Sequence, residues 1–146
     1  MKLYSAEELW NFKMCEVQAS LFELSGKEGL DSAEFTRAFM TSEVAAGLDE
    51  RYHQYQWAGE EYMLGLVKKH MKMDSKKTPD VYDRDTLFWM GYVYRYWHYY
   101  KNVPSKKIVK TAPPNIMKQT YLGFHTLDSS MAVDDLIEIS KQKQQA

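Results

Sequence analysis

Residues 84–101 read RDTLFWMGYVYRYWHYYK. Phe88, Tyr92, Tyr96 and Tyr99 recur at steps of three and four, and Trp89, Val93, Trp97 and Tyr100 fall on the adjoining face. That is the period of an α-helix and not the alternation of a strand. The pattern predicts a helix from Arg84 to about Lys101, apolar over most of its circumference. A helix of that kind ordinarily stands at the centre of a bundle. Asp83 and Asp85 at its start serve exposed amides and the positive end of the helix dipole. Most of the rings are expected in the core, their hydroxyls reaching water or backbone, with Tyr94 or Tyr100 exposed.

Working outward, cap signatures mark the neighbouring helices. Ser5-Ala6-Glu7-Glu8 has the spacing of a capping box and opens a helix over about 6–25, stopped at Gly26. Asp31-Ser32-Ala33-Glu34 repeats the signal for a short helix over 32–40, and Thr41-Ser42-Glu43 for one through Leu48. A longer helix is expected from Trp57 to about Met71, with Met63, Leu66, Val67 and His70 or Met71 turned inward. Asp74–Asp80 reads as a loop. Pro104-Ser105 and Pro113-Pro114 each start a short helix. Asp128-Ser129-Ser130 caps the last helix, whose buried stripe is Met131, Leu136, Ile137 and Ile139 and whose tail over 141–146 frays. No run bounded by turn residues alternates with period two. The expectation is an all-α fold, a compact single-domain bundle of about six to eight helices around a central aromatic-rich helix, spanning residues 1–146.

The bulk numbers agree. A chain of 146 residues fits one domain. Aromatics at 14% are too frequent for a disordered chain. Cys15 is the one cysteine, so neither a disulfide framework nor a cysteine zinc cluster forms within the chain. The first residues lack the apolar stretch of a signal peptide and no run approaches a membrane span, which points to the reducing cytoplasm.

Charge is unevenly placed. Residues 1–60 carry eleven acidic against five basic side chains, and residues 61–146 carry fourteen basic against nine acidic. No acid occurs between Asp85 and Asp128. Such halves mark either a partner surface or two halves that dock on each other, and the second is the plainer reading.

Chemistry is thinly supplied. His53, His70, His98 and His125 have no i, i+4 partner among themselves, and no metal or other cofactor is expected. Cys15 lies among apolar helix residues as a small core filler. Gly26-Lys27-Glu28-Gly29 is a turn between helices and not a phosphate loop. The neighbours Glu60 and Glu61, like Asp134 and Asp135, point about 100° apart on a helix and read as solvated faces. His98 is a hydrogen-bonded packing residue. His125, just after Tyr121, lies in a turn where it binds a loop carbonyl to fix the last helix, or contacts a ligand. An enzyme would need a cleft gathering His125, Arg95 or a carboxylate from distant helices.

Two stretches carry a resemblance. The first is Phe39-Met40-Thr41-Ser42-Glu43-Val44-Ala45, followed by Tyr55 through Gly59 and Glu60-Glu61. The second is Phe88-Trp89-Met90-Gly91-Tyr92, then Tyr96-Trp97, Pro104–Ile108, and Tyr121 with His125. In that order they resemble a loosely characterised group of small helical proteins from Gram-positive bacteria, some encoded beside toxin–antitoxin genes. The resemblance implies an antitoxin-like accessory protein that binds a partner and has no chemistry of its own.

The functional expectation is a non-enzymatic interaction protein of a bacterial or phage setting that binds, and inhibits, a protein partner such as a toxin or nuclease-type enzyme. Its contact face is the acidic first half, through Glu7, Glu8, Glu16 and Glu23. The alternative is nucleic-acid binding through the stretch 86–127, with Arg95, Lys101, Lys106, Lys107 and Lys110 meeting phosphates and tyrosines stacking on bases.

Overall fold

The computed structural model describes residues 3–51, 53–72 and 76–145. Among them are eight α-helices and no strand: α1 Ala6–Lys27, α2 Ser32–Met40, α3 Glu43–Asp49, α4 Glu60–Lys68, α5 Arg84–Lys101, α6 Ser105–Thr111, α7 Pro114–Phe124 and α8 Ser129–Gln145. The capping signals set the starts. Ser5 and Glu8 form a reciprocal capping box, each side chain meeting the other's backbone N–H at 3.1 Å. Asp31 caps α2 with one oxygen and accepts the Asp80 N–H at 2.8 Å with the other, which fastens the segment entering α5 to the start of α2.

Helix α4 is shorter than the expected span from Trp57 to Met71. Gln54–Trp57 form a 3-10 turn, and Gly59 holds φ at 85, a left-handed value that interrupts the helix before Glu60. Met63, Leu64, Val67 and Met71 are buried, whereas His70 is exposed. The loop expected over 74–80 lies partly outside the described residues. Helix α8 is regular through Gln145, and Ala146 lies outside the described residues.

Helices α1 and α5 run antiparallel along a close seam: Gln18 meets Gly91 at its middle, and Glu23 meets Arg84 at one end. Gly91 makes the approach possible. A Cβ there would lie 2.7 Å from the Gln18 carbonyl oxygen and 2.8 Å from Ala19 Cα, both backbone atoms that cannot swing aside. Helix α5 also packs on α6, α7 and α8.

The buried side of α5 is the expected one only in part: Val93 and Trp97 face inward and Tyr100 outward as expected, whereas the face of Phe88, Tyr92, Tyr96 and Tyr99 is not the core. Leu87, Met90, Gly91, Val93, Tyr94, Arg95 and Trp97 face inward, while Tyr92, Tyr96 and Tyr99 are half-buried and Phe88 and Tyr100 exposed. Tyr94, read as a candidate surface ring, is fully enclosed. It packs against Phe22, which in turn meets Phe35 and Phe39 edge-on, and its hydroxyl donates to the Ala112 carbonyl at 2.6 Å. In α8 the buried positions are Ala132, Val133 and Leu136; Ile137 and Ile139 are half-buried, and Met131, expected inside, is exposed. The small Ala132 marks where that helix lies against its neighbours.

Candidate functional site

Among the described residues, Arg95 gathers the largest polar network. Its Nε donates to Gln18 Oε1 at 2.8 Å and its Nη1 to Asp49 Oδ1 at 2.6 Å, while Nη2 reaches Ser105 Oγ at 3.3 Å. Asp49 further accepts the Ser105 N–H at 2.8 Å and the Ser105 hydroxyl at 2.7 Å. Gln18 closes the ring by donating to the Gly91 carbonyl at 3.0 Å. Side chains of α1, α3, α5 and α6 are thus tied at one guanidinium. A fully buried charge is tolerated only when its partners replace water this completely. Arg95 therefore leaves the set proposed to meet phosphates: it has no exposed surface.

The other face of α5 borders three successive clefts that adjoin one another along the α1–α5 seam. The first, about 490 Å³, is walled by Phe88, Trp89, Tyr92, Tyr121 and His125, with Glu23, Arg84 and Asp85 at its rim. The second, about 460 Å³, shares Tyr92 and Ser129 with the first and is walled by Tyr4, Glu8, Phe12, Tyr96, Tyr99 and Asp128. The third, about 600 Å³, shares Asn11 and Tyr99 with the second and takes in Glu7, Trp10, Asp49, Glu50, Arg51 and His98. The three clefts, here the groove, follow one another along α5, roughly 27 Å for 18 residues.

The groove is acidic. Glu7, Glu8, Glu23, Glu50, Asp85 and Asp128 line it against Arg51 and Arg84, and Asp49 lines it with its charge met by Arg95. Both arginines meet carboxylates of α1: Arg84 pairs with Glu23 at 3.1 Å and Arg51 with Glu7 at 3.8 Å. Three of the four acids expected to contact a partner, Glu7, Glu8 and Glu23, therefore lie along the groove. Glu16 is exposed on the same helix, and its charge opposes ionisation of Tyr92. Burial pushes the Tyr92 and Tyr99 phenols up to about 12, so both remain neutral hydrogen-bonding groups at physiological pH.

Burial likewise pushes the Cys15 thiol to about 12, which removes thiolate character and fits core filling. His98 Nδ1 lies 2.8 Å from the Val103 carbonyl and 3.6 Å from Asp49 Oδ1, so the ring joins the edge of the arginine network as a packing residue. His125 stacks on Tyr121 with centroids 4.6 Å apart, and its Nδ1 lies 2.8 Å from the Tyr121 carbonyl. It fixes the end of its own helix, α7, and with Tyr121 forms one wall of the first cleft. Lys101, Lys106, Lys107 and Lys110 are exposed, and Lys101 pairs with Asp134 at 3.5 Å. Among the described residues no group of three His, Cys, Asp or Glu side chains is placed to hold a metal ion.

Two features escaped the sequence reading. The Arg95 partners lie 10 to 77 positions away, so no local spacing announces them. Trp57 and Tyr62 stand in the open, Trp57 in the 3-10 turn before Gly59 and Tyr62 on the outer side of α4. No known protein family matches this chain, and neither a curated protein nor a solved structure is similar to it. No helix among the described residues is long and apolar enough to cross a membrane.

Proposed function

We infer that this chain is a non-enzymatic binding protein that docks a basic segment of a protein partner in the α1–α5 groove and thereby inhibits it. The observation that carries this reading is the coincidence of two properties along one seam: carboxylates outnumber arginines, and tyrosines supply the walls. Tyrosine presents a large, stiff contact surface with a hydroxyl that accepts or donates, which suits protein recognition. The acidic lining steers and orients a positively charged partner. An extended segment of about eight residues, at roughly 3.3 Å each, would fill the groove. A nuclease-type enzyme or toxin is basic where it handles nucleic acid, and covering that region would silence it. This is an antitoxin-like or phage-inhibitor role, in the cytoplasm, and it accords with the resemblance drawn from the sequence.

A second reading has one observation in its favour: Lys106, Lys107 and Lys110 are exposed together on α6. Tyr94 and Trp97, which would have stacked on bases beside them, are enclosed in the core. Affinity capture from native lysate, with nuclease treatment and without, separates the two. The groove reading expects a stoichiometric protein that survives nuclease, is lost from the Glu7→Gln/Glu8→Gln variant and weakens as salt rises. Material lost on nuclease treatment, and lost from a variant with Lys106, Lys107 and Lys110 changed to Gln, would transfer the function to α6.

A further inference from the structure

Outside the groove, beyond α1, a fourth cleft of about 670 Å³ opens between Lys13 and Val17 of α1 and the segment holding Trp57, Glu60, Glu61 and Tyr62. Trp57 is 64% exposed and Tyr62 59%. Trp57 rests on Trp10 with centroids 5.6 Å apart, so its ring is fixed at the surface and does not wave free. Trp10 is held in turn, its indole N–H donating to Gln56 Oε1 at 3.2 Å, and Gln56 is buried and bound to the Glu50 carbonyl. Gly59, with φ 85, makes the bend after which Glu60 and Glu61 enter the wall of the cleft that Trp57 also lines.

We propose that this ledge is a second docking site, which takes an arginine side chain from a loop of a protein partner. The chemistry is complementary. A guanidinium lies flat on an indole and forks its N–H groups to carboxylates, which an ammonium does less well. The molecule already uses one ring of the ledge in this way, with the Lys13 ammonium 5.4 Å from the Trp10 ring centre. The acids at the ledge are crowded: burial and the charges of Glu23 and Glu61 hold the Glu60 carboxyl above its ordinary range, with the Ser20 hydroxyl opposing them. An incoming cation relieves that crowding. Exposed tryptophan and tyrosine with arginine opposite are also the residue types that dominate protein interfaces. The site adjoins the third cleft at Trp10 and Gln56 but shares no carboxylate with the groove, and it does not rest on the groove being occupied.

The four tryptophans give the test its readout. Titrate ¹⁵N-labelled protein with hexa-arginine, hexa-lysine and hexa-glutamate, and follow the indole N–H resonances. Hexa-arginine should shift the Trp57 resonance at lower concentration than hexa-lysine, and hexa-glutamate should not shift it. Trp97, enclosed in the core, reports that the fold is intact, and Trp89, in the first cleft of the groove, reports binding there. Glu60→Gln/Glu61→Gln should weaken the Trp57 response at least threefold, whereas Glu7→Gln/Glu8→Gln should leave it unchanged. In the Glu7→Gln/Glu8→Gln background, which weakens binding in the third cleft that Trp10 also lines, Trp57→Ala should weaken hexa-arginine binding at the Trp10 resonance at least fivefold. A Trp57 resonance that is unmoved, or that responds equally in Glu60→Gln/Glu61→Gln, overturns the site. So does a response at Trp89 alone, which would assign the arginine to the groove. A Trp57 resonance that shifts when the protein alone is diluted would show a second copy covering the ledge, and also overturns it.

Discussion

The two sides of α5 make an instructive contrast. Both carry tyrosine, and the buried side carries the more polar residue of the two, Arg95. Inside, Tyr94 and Arg95 are enclosed and every polar group has a protein partner: Ala112 for the phenol, and Gln18, Asp49 and Ser105 for the guanidinium. Outside, Tyr92, Tyr96, Tyr99 and Tyr100 border clefts whose other wall is acidic. What decides the fate of a side chain here is whether other helices supply the groups it needs. Hydrophobicity alone would have placed Arg95 in water and the tyrosines indoors.

The contrast breaks most sharply at Arg95. Arg95→Ala leaves Asp49 without its counter-charge in a nearly closed site, and should lower stability by about 3–5 kcal/mol, read by urea unfolding with an unchanged denaturant slope. Pairing Arg95→Met with Asp49→Leu should recover much of that loss, because the stranded charge is gone. If Arg95→Ala costs no more than a surface change, the inner face is not held by this network. The phenols provide a finer comparison. Tyr94→Phe strands the Ala112 carbonyl and should cost about 1–2 kcal/mol. Tyr100→Phe, which removes an exposed bond to Asp134 at 3.1 Å, should cost less than about 0.5 kcal/mol. Equal costs would erase the distinction between the faces.

A pH series probes the same burial from another side. Cys15, Tyr92 and Tyr99 are raised by burial to about 12 from ordinary values of 9.0 and 10.0, and burial raises Tyr94 as well. Between those limits the unfolded chain has lost protons that the native protein keeps, so stability falls as pH rises. It is complete below pH 9 and declines toward pH 12. Melting temperatures followed from about pH 8 to about pH 11 should decline progressively, and less steeply in Tyr94→Phe. A flat profile would mean that these groups are not buried as described.

Helix boundaries were legible because caps are local. Ser5, Asp31 and Ser42 each meet a backbone N–H three residues on, and Pro104 and the pair Pro113-Pro114 fix two further starts. Which side of a helix faces inward was less legible. In α5 the periodicity of the rings was real, but Phe88, Tyr92, Tyr96 and Tyr99 define the groove wall and not the core. The signal that places the core is Gly91, whose missing side chain admits α1. In α4 the late start was carried by Gly59, whose left-handed backbone separates Trp57 from the helix that holds Met63. The acidic character of α1 was readable from composition. Its concentration along the groove depends on Asp49, Glu50, Asp85 and Asp128 arriving from other elements, and no spacing within α1 carries that information.

Gly91 has a consequence for descent. Tyrosines along a groove drift with whatever they bind, and lysines on a surface drift almost freely. A backbone contact drifts in neither way, because enlarging either member pushes two helices apart along their whole length. Chains that share this architecture would be recognised less by their aromatic residues than by a bare position in the fifth helix facing a small one in the first. Those two positions would change together or not at all.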